Sequence, residues 1–202
     1  MSTMEDGHSN LNSRIAARVR ELRSVASLSL DALAMKSGVS RSMISLVERG
    51  ESSPTAVILE KLAAGLGVTL ASLFDPPSTV AKTPVSPLVR RRDQPLWRDP
   101  ESGYVRRNVS PANVLQPMRI VDVHFPPRAR VAFETGERDV LVHQQVWVLK
   151  GTIDITVGEE RHRLREGDCL AMRLDRPTMF HSASRKPARY AVVIAAESTS
   201  RR

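Results

Sequence analysis

Apolar positions change their period along this chain of 202 residues. From residue 11 to residue 75 they recur every three or four places. In RIAARVRELRSVA, Ile15, Val19 and Leu22 fall on one face with arginines between them, which predicts a helix. SLDALAMKSG opens on Ser29, an N-cap type, carries Asp31 in its first turn and stops at Gly38, a residue suited to a left-handed C-terminal position. SRSMISLVERG opens on Ser40, spaces Ile44 and Val47 three apart and closes on Gly50. SPTAVILEKLAAGLG sets Pro54 at a first helical position behind Ser53 and ends in glycine. TLASLF predicts a short last helix. The segment 11–75 therefore reads as five short helices.

Residues 76–95 hold five prolines and no apolar period, and read as a partly extended linker carrying Arg90, Arg91 and Arg92. From about residue 96 the period becomes two. RIVDVHF, VWVLKGTIDITVG, ERHRLREGDCLAMRL and ARYAVVIAA alternate apolar and polar residues, with turn-forming residues between them. TVGEERHRL reads as a hairpin through Gly158 and Glu159. Short strands without intervening helices predict a sandwich or small barrel over residues 96–197. PLWRDPESGYVRRNVSP, with Trp97 and Tyr104, predicts an extra strand pair that closes one barrel end or crosses to a partner. The fold class expected is thus multi-domain α + β.

Composition adds bounds. The chain is 41% hydrophobic and 26% charged, enough to bury a core, and only 4% aromatic. The single cysteine, Cys169, excludes an intramolecular disulfide and any cysteine-rich zinc site, and reads as a small apolar core residue. No apolar run is long enough to cross a bilayer, and MSTMEDGHSN lacks the basic-then-apolar order of a secretory signal, so a cytoplasmic protein without a membrane partner is expected. The formal net charge is +8. Its location matters more than its size: residues 1–75 carry eight basic and eight acidic side chains, and the excess lies in 76–202. Charge alone therefore does not single out the helical segment as a nucleic-acid binder.

Pattern does. Two helices joined by a tight glycine turn, the second being SRSMISLVERG, have helix-turn-helix form. In that geometry the second helix enters the major groove with its leading turn at the base edges. The candidate DNA contacts are Ser40, Arg41, Ser42, Met43, Ser45, Leu46 and Arg49. Arginine reads guanine with two bonds, and serine bonds a base or a phosphate. RVRELR, LSLDALAMKSGVSRSMISLVERGESSPT and LEKLAAGLGVTLASLF resemble the phage-repressor-type helix-turn-helix of the XRE family over residues 14–74. The resemblance implies an ion pair between Arg23 and Glu48 that pins the first helix to the recognition helix. It departs from the family at Leu30, where a DNA-contacting glutamine is common, and at Leu46, where a basic residue is common. The neutral charge of the segment implies modest non-specific affinity for one copy. Two copies on half-sites roughly 34–36 Å apart would supply tight binding, so a homodimer and a pseudo-palindromic double-stranded operator are expected.

HQQVWVLKGTIDITVGEERHRLREGDCLAMRL and RPTMFHSASRKPARYAVVI resemble the cupin barrel over about residues 115–196. Metal-binding cupins carry two histidines and a carboxylate before the glycine that matches Gly151, and a histidine after the proline that matches Pro177. In this chain those positions fall near Arg138 and Val140, on Gln144 and on Thr178, with Ser182 where an asparagine is usual. Amides and hydroxyls are poor donors to a divalent transition metal. His143, His162 and His181 lie beside these positions, and a strand residue one place off faces the other way unless a bulge intervenes. No metal and no cofactor are expected. The barrel reads instead as a pocket without metal, lined by Gln144, Val146, Val148, Thr178 and Ser182, with His143 nearby, that takes an unidentified small-molecule effector. His143, Gln145 and Trp147 form an outward set suited to a dimer interface.

The function implied is an effector-responsive transcription regulator and not an enzyme. Two alternatives stay open: a metal-free cupin isomerase or epimerase tethered to DNA, and a cupin that serves only to dimerise.

Overall fold

The computed structural model describes residues 3–77, 86–112, 114, 117–134 and 140–198. Four α-helices come first: α1 (Thr3–Val25), α2 (Leu30–Ser37), α3 (Arg41–Arg49) and α4 (Ala56–Gly65). A five-residue 3-10 helix, Leu70–Phe74, stands where TLASLF predicted a fifth α-helix. Local chemistry sets these ends. Ser29, Ser40 and Thr55 accept hydrogen bonds from the backbone N–H of Ala32, Met43 and Ile58. Gly38 and Gly50 close α2 and α3 in the left-handed region, at φ 66° and 71°. Pro54 precedes the cap of α4 instead of opening the helix, because Thr55 supplies the capping oxygen.

Ile15, Val19, Leu33, Ile44, Val47, Leu59, Leu62 and Leu73 are buried between the helices. α4 lies close against α2: a Cβ on Gly65 would stand 2.9 Å from the Ser37 Cβ, so only glycine allows this approach.

Among the described residues the C-terminal part has ten strands in two antiparallel sheets. β1 (Leu96–Arg98), β2 (Val105–Asn108), β3 (Met118–Phe125), β5 (Val140–Lys150), β8 (Cys169–Arg173) and β10 (Ala188–Ser198) form a six-stranded sheet in the order β1-β2-β3-β10-β5-β8. β4 (Arg130–Phe133), β6 (Thr152–Val157), β7 (Glu160–Arg165) and β9 (Thr178–His181) form the second sheet in the order β4-β9-β6-β7. β6 and β7 make a hairpin through Gly158 and Glu159. β1 and β2 pair with each other and then with β3 of the same chain, extending the large sheet.

Alternation sorts the residues to two faces. Val121, Val123, Phe125, Val142, Val146, Val148, Val192 and Ile194 of the large sheet are buried with Ile153, Ile155 and Phe180 of the small one. The opposite face of the large sheet leaves Met118, Ile120 and Trp147 exposed. Cys169, expected in the core, lies on this outer face beside Trp147, because β8 buries the alternate residue Met172.

The two parts are docked by specific contacts. Arg119 of β3 makes two bonds to the Asp75 carboxylate, at 3.2 and 3.0 Å. Lys61 of α4 pairs with Glu134 at 2.7 Å. The Phe74 and Trp97 rings meet edge to face, with centroids 5.8 Å apart. From there ring contacts run on through Tyr104, Phe125, Tyr190 and Phe180 to Phe133, so seven of the eight aromatic residues form one continuous row. Trp147 is the eighth. Among the described residues no helix is long and apolar enough to cross a membrane.

Candidate nucleic-acid interface and interdomain cavity

The short helix α3 is held by its inner face and open on its outer face. Ile44, Val47 and Glu48 are buried. Glu48 accepts from Arg23 of α1 at 2.6 Å (Nε to Oε1) and 2.7 Å (Nη2 to Oε2). The same guanidinium donates from Nη1 to the Leu28 carbonyl at 2.9 Å, and Arg20 donates to the Glu48 carbonyl at 2.6 Å. These charge-assisted bonds fix the roll and the depth of α3 against α1. Bonding to Glu48 raises the Arg23 pKa above its ordinary value, against the opposing effect of burial.

On the outer face Arg41, Ser42, Ser45, Leu46 and Arg49 line a shallow groove with Leu30 of α2. Ser40, at the cap, is exposed and bonds Ser42 at 3.1 Å. Met43 does not join the set. It packs against the helical core, with the Ser52 hydroxyl 3.9 Å from its sulfur. The two cations of the groove are engaged within the chain. Arg41 lies 3.3 Å from Asp31, and Arg49 lies 2.8 Å from Glu51 and bonds Ser45. Its bond to Arg49 lowers the Glu51 pKa below the usual carboxylate range.

A second concavity, of about 770 Å³ counting its open mouth, lies between the helical part and the strands. The barrel supplies most of the wall, including Phe125, Val131, Phe180 and Val192; Glu60, Thr69 and Leu70 of the helical part close one side. Of the pocket residues read from the sequence, Gln144 and Thr178 line it. Val146 and Val148 share the inward face of β5 but sit within packed core. Ser182 is fully buried elsewhere, and its hydroxyl has no hydrogen-bond partner. His143 is not in this cavity. It lies on the outward side of β5, opposite Ala195 and Arg173. The one register shift between β5 and β10 falls between Arg189 and Tyr190, beside Leu149, so no bulge turns His143 inward.

Sequence reasoning passed over the charged floor of this cavity. Arg106 of β2 is buried at 6% exposure, its Cζ 5.5 Å from the centre of the Phe74 ring. Burial lowers its pKa below the ordinary arginine value, while Tyr104 and Glu60 act in the other direction. Burial likewise raises the hydroxyl pKa of Tyr104 and of Tyr190. At the domain junction, burial raises the Asp75 carboxyl although Arg119 opposes it.

The positions at which metal-binding cupins hold their ligands do not fit a metal. Gln144, Thr178 and Ser182 are neutral, Val140 is apolar, and Arg138 lies outside the described residues. Among the described residues no three His, Cys, Asp or Glu side chains are grouped to hold a cation.

Residues 19–73 match the HTH_3 helix-turn-helix family model. The chain is 36% identical over 78 residues to the HTH-type transcriptional regulator SutR of Escherichia coli, across 39% of this chain and 44% of that protein. The match thus spans less than half the length of that curated relative. The crystal structure of an HTH_3 family transcriptional regulator from Vibrio cholerae superposes with a TM-score of 0.73 over 93% of this chain and 97% of that one, at 23% identity. The two-domain fold is therefore shared with that protein. A cupin domain of an XRE family transcriptional regulator from Enterobacter cloacae aligns at 18% identity over 46% of this chain and 95% of its own, with a TM-score of 0.40.

Proposed function

We propose that this protein, whose residues 19–73 form an XRE-type helix-turn-helix domain, is a cytoplasmic transcription regulator that binds a pseudo-palindromic operator as a homodimer and responds to a small effector held behind the DNA-binding part. The observation that carries the reading is the asymmetry of α3. Its inner face is locked by Glu48, while Arg41, Ser42, Ser45, Leu46 and Arg49 remain open along one groove. With the leading turn in a major groove, Ser40 and Ser42 reach phosphate, Arg41 reaches a base edge and the Leu46 methyls meet thymine.

The homodimer follows from the outer face of the large sheet. Ile120, Val193, Gln145 and Ala171 form one row across four strands, and Trp147 stands beside it at 51% exposure. An exposed apolar face with one indole at its centre and a polar rim of Asp122, His143 and Arg173 is suited to a self-complementary contact. The effector role rests on the cavity, which is walled by both domains. Neither His143 nor His181 lines the cavity, so the imidazole pair on which the enzyme alternative relied is not assembled there.

Selection from a random duplex pool with the full-length protein tests the reading. A two-fold symmetric site, bound with two protomers per duplex, is the expected outcome. Failure to bind any duplex at low salt overturns it.

A further inference from the structure

We propose that the interdomain cavity binds a small organic monocarboxylate, with its carboxylate on the Arg106 guanidinium and its apolar body against Phe125, Phe180 and Val192. This deepens, and rests on, the reading of the cavity as an effector site. The guanidinium is built in and incompletely used. Arg106 faces inward from β2, lines the cavity and is only 6% exposed. Its Nε donates to Asn108 Oδ1 at 3.3 Å, and the Phe74 ring lies on one face. Tyr104 is a further hydrogen-bond partner of the guanidinium, but Nη2 is buried and has no acceptor among the described residues. A buried charged donor without a partner is costly, and a carboxylate is the acceptor whose two oxygens match the guanidinium fork.

Charge narrows the class. Glu60 acts on Arg106 from the helical wall, Glu134 stands at the cavity edge paired with Lys61 at 2.7 Å, and Arg176, which also lines the cavity, pairs with Asp175 at 3.4 Å. The positive field is therefore partly offset, which suits one negative charge and disfavours the two of a phosphate monoester. The remaining wall is mostly aliphatic and aromatic, as the walls of small-molecule sites are. Leu70 and Thr69 belong to the helical domain, so a bound molecule touches both domains at once.

The test uses the full-length protein with 4-fluorobenzoate and hexanoate as probes, and 4-fluorobenzamide as the uncharged isostere, read by fluorine NMR. The acid is expected to bind at least tenfold more tightly than the amide and to be displaced by hexanoate. Arg106→Gln is expected to abolish that preference, and Arg106→Lys, which keeps the charge and loses the fork, to weaken it severalfold. Equal binding of acid and amide by the wild type, binding of neither, or a preference that survives in Arg106→Gln overturns the assignment. If Arg106→Gln does not fold, the wild type and Arg106→Lys decide alone. Duplex binding without ligand is measured in parallel. A protein that binds a duplex but shows no acid preference loses this inference only. One that prefers the acid but binds no duplex at low salt loses the regulator reading, and the site stands.

Discussion

The carboxylate of Asp99, in the turn after β1, accepts a hydrogen bond from the backbone N–H of Ala56, the first residue of α4, at 2.9 Å. A helix of the N-terminal domain is thus capped by a side chain of the C-terminal one. Thr55 serves the Ile58 N–H locally, and Asp99 serves a second orphan donor from 43 positions away. The other Asp99 oxygen bonds the Ser102 backbone N–H at 2.8 Å, which holds the turn in place. Asp99 is buried, so the two domains are fixed to each other at this point by a bond that water does not replace.

Asp99→Ala is expected to lower stability by about 0.5–2 kcal/mol, the usual range for a lost capping bond. Asp99→Asn keeps an acceptor for Ala56 and should lose less. Urea unfolding followed by circular dichroism checks both, and an unchanged midpoint in Asp99→Ala would exclude the capping role.

Glu48 is 6% exposed and holds Arg23 with two bonds. Removing one partner strands a charge, so Glu48→Ala should cost about 3–5 kcal/mol. The double replacement Arg23→Met with Glu48→Leu should recover most of that loss, because it leaves no unpaired group. Thermal denaturation of the single and double variants separates the two effects.

Arg41 and Asp31 are exposed at 65% and 74%, so their pair contributes only about 0–1 kcal/mol to folding. Arg41→Ala is expected to leave the unfolding midpoint in place and to weaken operator binding by about 1–3 kcal/mol. Asp31→Asn should do the reverse, since it frees Arg41 from a competing carboxylate: tighter duplex binding and a steeper salt dependence. Fluorescence anisotropy across a salt series reads both. Wild-type affinity in Arg41→Ala would remove that residue from the interface.

Trp147 stands on the outer sheet face beside the row of Ile120 and Val193. Trp147→Glu places a charge at the centre of the proposed self-contact, and sedimentation should then report a monomer with each domain still folded. A dimer that persists would move the interface elsewhere on the chain.

What the sequence made legible is what is local. Ser29, Ser40, Gly38 and Gly50 act within one helical turn of themselves, and their roles could be assigned by inspection. The faces of β5 followed from strict alternation, which set Val146 and Val148 inward and Trp147 outward. Pro54 was misplaced because the choice of Thr55 as cap depends on where the chain turns, and Asp99 was invisible as a cap because its helix belongs to the other domain. Cys169 read as core from its own hydrophobicity, but its place in β8 beside Trp147 decides its exposure. Met43 sits in the recognition segment yet points to the core, a matter of half a helical turn. Arg106 looked like one more basic residue after a turn. Its significance comes from folding Phe74 and Glu60, from two distant stretches of chain, around it and its neighbour Tyr104.

The aromatic row leaves the chain with two indoles in opposite settings. Trp97 is sealed between Phe74 and Tyr104 at the seam of the two domains, and Trp147 is open to solvent on the outer sheet. Their emission should differ in colour and in sensitivity to a soluble quencher. The seam between the two domains and the proposed contact between copies therefore each come with a native fluorophore, and the two can be followed separately in a single unlabelled sample.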